Sequence, residues 1–294
     1  MVHYKVGFSR KAFIVLNHFL TVLICIVCLL PVVYVLALSL SGKEYIIAGK
    51  VTLIPKGWTL NNYRYVMKDA QFYRSFLVSI VRTLLAVAVE MTLTICAAYP
   101  LSISRHRFRQ RPLYAWFFIV TIIFNGGMIP TYLVVSKTGL LDTLWALVLP
   151  NAVPVFNIVL LSNYIKTLPE TLSESASLDG AGHLRIMTQI ILPLCLPSLA
   201  TLTLFVMVGA WNEWFSGMLY INRANLLPLQ TYLRSLIVEV NLNQMSDLNS
   251  MANLVASVGA DTAKIFLAMF PILCVYPFLQ KYFVKGLVAG SVKE

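Results

Sequence analysis

The chain has 294 residues, of which 59% are hydrophobic and 12% charged, with a mean hydropathy of +0.77. Water-soluble domains carry about a quarter charged residues, so this composition excludes an ordinary soluble enzyme and indicates a membrane protein. The net charge of +11 does not indicate nucleic acid as a partner, because the Lys and Arg residues lie between apolar runs and not together on one soluble face.

A helix that crosses a bilayer needs about 20 mostly apolar residues, since the hydrocarbon core is about 30 Å thick and each residue rises about 1.5 Å. Six stretches qualify, at roughly 13–39, 76–103, 113–135, 143–165, 195–220 and 262–283. They are continuous apolar runs, not alternating strands of about ten residues, so helices are expected and not a barrel.

Residues 1–12 carry Lys5, Arg10 and Lys11 and are expected in the cytoplasm. The apolar run after them is too long for a signal peptide and no A-x-A site follows, so an uncleaved anchor is expected. Cys25 and Cys28 are helical neighbours within it. With Cys96, Cys195 and Cys274 they read as small packing residues, not disulfides, and no metal site is expected. Segment 41–75 falls on the predicted outside, although Lys43, Lys50, Lys56, Arg64, Lys68 and Arg74 lie thinly spread along it.

The second predicted span holds Arg82 and Glu90. They are separated by about 12 Å along a helix, too far to pair, so Glu90 is the candidate intramembrane charge and is expected to meet a partner on another helix. Next comes "RHRFRQR", with Arg105, Arg107, Arg109 and Arg111 in one short connection, which the positive-inside rule places in the cytoplasm. Parity then places both termini and the connection at 166–193 on the same side. Asn125 and Asn157 are polar pathway candidates in the third and fourth spans. Pro31, Pro130, Pro154 and Pro277 are potential kinks.

The connection 166–193 is the most structured loop expected. Pro169 can open a helix with Glu170 at its positive end, and "PETLSESASL" sets Leu168, Leu172, Ser175 and Ala176 on one face. Asp179 and Gly180 should stop that helix, because glycine accepts the left-handed conformation of a C-terminal cap. A second helix from about 182 to Pro193 would present Leu184, Met187, Thr188 and Ile191. Such an elbow suits docking into a partner's cleft or lying on the headgroups, and the residues alone weigh the two equally.

In the fifth span, Trp211, Asn212, Glu213 and Trp214 combine polar groups with aromatic faces. That mixture suits sugar recognition, and it also suits an aromatic girdle at the membrane interface. A polar outer loop at 221–258 and a tail at 284–294 complete the chain.

No G-x-x-x-x-G-K-[ST] sequence occurs, and Gly180-x-Gly182 has Arg185 where a third glycine would stand. His3, His18, His106 and His183 are scattered. No catalytic site of its own is therefore expected.

"ESASLDGA", followed after nine residues by "IILP", resembles the EAA motif of ABC importer permeases, through Glu174, Ala176, Gly180, Ile190, Leu192 and Pro193. Ser175 departs from the usual alanine but remains small. "GAWNEWFSGMLYI" and "KYFVKGLVAGSVK" resemble the MalG-like carbohydrate uptake permeases, and "NGGMIPTYLVV" resembles the subgroup for oligosaccharides of complex polysaccharides, including alginate and pectin fragments. The resemblance covers residues from about 76 to the C-terminus.

It implies an all-α membrane protein with the six-helix type I importer (MetI-like) fold, paired with a second homologous permease subunit. It further implies two ATP-binding subunits that use ATP and Mg, an extracytoplasmic solute-binding protein, and an oligosaccharide moved across the bacterial cytoplasmic membrane. Glu174, Ser175, Ala176, Asp179, Gly180, Ala181 and Pro193 would form the coupling loop to the ATPase. Trp211, Asn212, Glu213 and Asn125 would line the pathway, residues 221–258 would reach into the binding protein, and the tail near Lys285–Glu294 would touch the ATPases. The alternatives are an importer permease for a non-sugar solute and a secondary transporter without an ATPase. The latter calls for an internal repeat, and the sequence contains none.

Overall fold

The computed structural model describes residues 8–124, 126–243, 258–275 and 277. Every regular element among them is helical, as expected where backbone N–H and C=O groups must find partners within the segment. By contact the chain divides into two units, Met1–Ala70 with Ser235–Met269, and Gln71–Arg234 with Phe270–Glu294.

The first unit begins with α1 (Phe8–Ser39), whose 32 residues extend about 48 Å at 1.5 Å per residue. Side chains 10–31 are all exposed. A helix apolar on every side is stable in lipid and not in water. Pro31 lies inside it without ending it. Segment 41–75, expected as a long outer loop, is folded over its first part, with two short helices, α2 (Lys43–Ile47) and α3 (Asn61–Val66).

Polar side chains supply the partners that the end of α1 lacks. Asn62 Nδ2 donates to the Ser39 and Ser41 carbonyls at 2.9 and 3.1 Å. Ser41 Oγ donates to the Ala37 carbonyl at 2.6 Å and accepts Lys56 N–H at 3.1 Å. Within the same unit Lys264 Nζ lies 2.8 Å from Asp69 and 3.6 Å from Asp261. A Cβ on Gly259 would stand 2.8 Å from the Asn62 amide, so the backbone approaches there because that residue has no side chain.

The second unit is organised on α4 (Ala70–Ser102). Next come α5 (Arg111–Ile123) and α6 (Met128–Lys137), two 3-10 turns at Leu144–Leu147 and Leu149–Asn151, and α7 (Val155–Ile165). The connecting elbow holds α8 (Glu170–Leu178), α9 (His183–Ile186), a π-helical stretch at Met187–Ile191 and α10 (Leu192–Leu194). Then follow α11 (Leu196–Asn212), α12 (Phe215–Tyr220) and α13 (Leu229–Asn243). A last helix, α14 (Val258–Val275), belongs to the first unit up to Met269, as does α13 from Ser235.

The core joins α4, α7, the elbow and α11, through Ala86, Met91 and Ala98, Ile158 and Leu161, Ile186, Ile191 and Cys195, and Leu202 and Val206. Small residues such as Ala86 and Ala98 let the helices approach closely. Of the cysteines, Cys195 is buried in this core, whereas Cys25, Cys28, Cys96 and Cys274 are exposed; all five are free.

Three of the six expected spans are not single helices. The third divides into α5 and α6, with Gly127 at φ 84° between them. The fourth opens with the 3-10 turns and bends by 52° into α7, because Pro150 and Pro154 lack the N–H groups a continuous ladder needs. The fifth follows an 83° corner at Cys195 and breaks again at Glu213 and Trp214 before α12. By length and composition α1, α4 and α14 can each cross a membrane, and the three bent pairs raise the total to six.

Part of the expected outer loop, residues 221–243, is structured by α13, while 244–257 lie outside the described residues. Asp142, itself left-handed at φ 57°, ties that segment down by accepting the Asn222 and Arg223 N–H groups at 2.5 and 3.0 Å. The Asn222 hydrogen bond foremost holds its carboxyl below the usual carboxylate range. Packing of α12 on α13 depends on Gly217, since a Cβ there would overlap Thr231 Oγ1 and come within 3.0 Å of Pro228. Gly217→Ala should therefore destabilise the protein by about 1–3 kcal/mol, as overpacking does. Thermal unfolding in detergent should show the loss, and Thr231→Ala in the same chain should recover part of it.

Candidate functional site: a capped elbow and a pinned helix break

The first site is the elbow. Pro169 is the residue before α8 and not its first helical residue, with ψ 125°. At the other end Gly180 N–H bonds the Ser177 carbonyl at 3.1 Å and Ala181 N–H bonds the Ala176 carbonyl at 2.9 Å. These two bonds, with Gly180 at φ 80°, make a Schellman cap. That cap explains three residues of the motif together. Gly180 supplies the left-handed turn, and Ala176 and Ala181 are the apolar pair that accompanies such a cap, both packed against the core. A Cβ on Gly180 would meet nothing within 4 Å, so its requirement is one of backbone conformation and not of space.

The expected faces of the two helices are shifted. On α8, Ala176 and Ser173 turn inward, while Leu172 and Ser175 are exposed. Beyond Gly182, Ile186 and Ile191 are buried and Leu184 and Thr188 are exposed. The π-helical stretch causes this second shift, because residues five apart share a face where the bonds run from i to i+5. Leu178 and Leu184, 89% and 71% exposed, stand outward from the two arms. Glu174 is half-exposed and pairs with Arg107 at 3.1 Å. An exposed pair contributes about 0–1 kcal/mol, so it orients the elbow more than it stabilises it. Asp179 caps α8, and Pro193 lies in α10 just before the 83° corner.

The second site is the break between α11 and α12. Arg82 on α4 is 3% exposed and gives Nη1 to the Glu213 carbonyl at 2.8 Å and Nη2 to the Glu213 carboxylate at 2.5 Å. Ser216 Oγ lies 3.2 Å from the same Nη2. The Glu213 carboxylate also takes the Ser216 N–H at 2.8 Å and the Ser216 hydroxyl. One carboxylate thus caps α12 and neutralises a buried guanidinium. Arg82 therefore pairs across to Glu213 and not along its own helix with Glu90, which is half-buried and has no ion pair among the described residues.

The available signal was the row Gln71, Ser75, Ser79 and Arg82, spaced 4, 4 and 3 along one face of α4. Gln71 donates to the Ala224 carbonyl at 2.5 Å and Ser79 Oγ accepts Leu229 N–H at 2.7 Å. This face supplies hydrogen bonds to the irregular backbone from 213 to 229.

The other pathway candidates are dispersed. Trp211 is buried edge-on against Phe76, with ring centroids 5.7 Å apart. Trp214 lies beneath the Arg234 guanidinium at 4.4 Å. Asn212 is exposed and Asn157 is buried on α7. Asn125 lies outside the described residues, as does the tail near Lys285–Glu294. No group of three or more metal-ligating side chains occurs among the described residues.

Residues 95–288 match the family described as "Binding-protein-dependent transport system inner membrane component". The polygalacturonan/rhamnogalacturonan transport system permease protein YtcP of Bacillus subtilis (strain 168) is 38% identical over 288 residues, covering 97% of this chain and 99% of its own. Protein LplC of the same organism is 42% identical over 268 residues, covering 91% and 90%. Among solved structures, a chain from a bacterial ABC transporter involved in the import of the acidic polysaccharide alginate superposes with a TM-score of 0.85. It is 30% identical, and the match covers 96% of this chain and 100% of that one.

Glu213→Ala would leave Arg82 buried without its partner, at a cost of about 3–5 kcal/mol. The paired change Arg82→Met with Glu213→Ala should cost less than the sum of the single changes, with a coupling of about 0.5–3 kcal/mol. Thermal unfolding of the four proteins in detergent measures this; additive losses would mean that the two side chains act independently.

Proposed function

Because the chain belongs to the binding-protein-dependent transport system inner membrane components, we propose that it is one permease subunit of an ABC importer for acidic oligosaccharides. Its relatives' names support the substrate class, since polygalacturonan and alginate are both chains of uronic acids. A second homologous permease completes the pathway, an extracytoplasmic solute-binding protein delivers the sugar, and two ATP-binding subunits hydrolyse ATP with Mg. Both termini and the elbow face the cytoplasm, in keeping with the cluster Arg105, Arg107, Arg109 and Arg111.

The observation that carries this reading is the Schellman-capped elbow. It joins α7 to α11, it leaves Leu178 and Leu184 uncovered, and it is rooted in the core through Ala176, Ala181, Ile186 and Ile191. A partner that grips the exposed leucines would therefore move the helices attached behind them. In this role Glu174, Ser175, Ala176, Asp179, Gly180 and Ala181 belong to the ATPase contact, and Pro193 to the turn into the membrane. The family's name supports a binding protein as the extracytoplasmic partner, and residues 221–258 are proposed as the segment that meets it. Glu213 serves the pathway indirectly, by holding the break open for a substrate its own charge would repel. Trp211 and Asn212 flank that break, and Glu90 is left as a charge in the span wall.

The test is ATP hydrolysis by the reconstituted complex with and without binding protein loaded with an oligogalacturonide. Loaded binding protein should stimulate hydrolysis several-fold in the unmodified complex. Gly180→Val should abolish stimulation, since a β-branched residue tolerates φ 80° poorly. Gly180→Asn should retain much of it, because asparagine adopts the left-handed conformation and the space is open. Full stimulation in Gly180→Val would remove the elbow from the coupling path.

A further inference from the structure

Behind the elbow, walled by the end of α4, the connection to α5 and the first turns of α8, lies a cavity of about 290 Å³. This is close to the small end of the usual ligand-site range, about 300–1,000 Å³. Its wall carries Arg107, Arg111 and Lys166 with the small polar residues Ser102, Ser104 and Ser173. Three cations on one cavity call for anions, and the protein supplies them unequally.

Arg107 is answered by Glu174 at 3.1 Å. Arg111 is held differently, because its Nε donates to the Leu101 carbonyl at 3.0 Å. That bond fixes the guanidinium plane and leaves both Nη groups without a carboxylate among the described residues. Lys166 Nζ reaches only the neutral Asn163 Oδ1, at 3.3 Å. Glu170 is the one carboxylate among the described lining residues, and it forms no ion pair with either cation. The Lys166 amine is pushed below its usual range, first by burial and then by the Arg111 charge beside it. Two neighbouring cations on a shared cavity repel each other unless an anion lies between them.

We propose that this cavity binds a phosphate group between Arg111 and Lys166. A tetrahedral anion with several acceptor oxygens matches a planar guanidinium fork and a point-charge ammonium together better than a single planar carboxylate does. Basic pockets between helices at the cytoplasmic membrane surface take up anionic headgroups, and a soluble phosphate offers the same chemistry. A bound phosphate braces the base of α8 against the end of α4, since both contribute to the wall. The inference does not require the transport reading, and its test measures binding and not transport.

The test uses the full chain purified in a neutral detergent. Its thermal unfolding is followed with added dioleoylphosphatidylglycerol, with dioleoylphosphatidylcholine, and with inorganic phosphate against chloride at equal ionic strength. Phosphatidylglycerol or inorganic phosphate should raise Tm by several degrees where phosphatidylcholine and chloride do not. A gain with the lipid alone identifies a headgroup as the source, and a gain with millimolar inorganic phosphate identifies a soluble anion. Lys166→Gln should abolish the gain. Arg109→Gln, which removes one charge from the same connection but off the cavity wall, should keep it. Arg111→Lys, which retains the charge and loses the fork, should reduce it. Absence of a gain with either phosphate source, or equal loss in Arg109→Gln and Lys166→Gln, would overturn the proposal.

Discussion

In a hydrocarbon environment an unpaired backbone amide or carbonyl costs several kcal/mol, and the second unit is arranged around that constraint. Its helices are interrupted at Glu213 and Trp214 and again from Ile221 to Pro228. Both interruptions face the row of Gln71, Ser75, Ser79 and Arg82 on α4. Arg82 reaches the Glu213 carbonyl, Gln71 the Ala224 carbonyl, and Ser79 the Leu229 amide. The irregular backbone is tolerated because one long helix brings its partners to it. Further along α4 the same helix turns apolar, with Ala86, Met91 and Ala98 joining the core. A single element thus supports an irregular, polar half and a close-packed half.

Arg82 shows how tightly this is drawn. A buried guanidinium is unfavourable by itself, and an ion pair in a low dielectric roughly repays desolvation only when its geometry is good and its other donors are satisfied. Glu213 and Ser216 satisfy both Nη groups, while Nε finds no partner. The pair therefore contributes position more than net stability. It fixes where α11 ends and α12 begins.

At the other end of the unit the elbow meets a different constraint, which is to hold a short polar connection in one shape. A Schellman cap makes the turn at Gly180 stiff, because two backbone bonds and an alanine pair close it. The π-helical stretch then rotates Ile186 and Ile191 onto one face, so the second arm is anchored in the core at two points. Mobile loops store little strain. This one is short, capped and rooted in the core at Ala176, Ala181, Ile186 and Ile191.

The membrane class, six apolar segments, the elbow and its glycine hinge were legible in the residues, because hydropathy and turn chemistry are local properties. The cap at Asp179 and Gly180 was readable for that reason, and so was the departure of the second arm near Pro193. The face of the second arm was not, because a 3.6-residue period assumes an α-helical ladder that the π-helical stretch does not keep. The broken spans were also hidden. Over 20 residues the apolar pattern of a straight helix and of two bent ones is the same, and only Pro150 and Pro154 gave a local sign of the fourth. Arg82 could be marked as a charge that needed a partner, but its partner is 131 residues away in the chain. By itself, the sequence determined what each segment is made of and which solvent it requires. Tertiary structure alone decided where helices break and which charges meet, because those choices depend on hydrogen-bond partners brought together from distant parts of the chain.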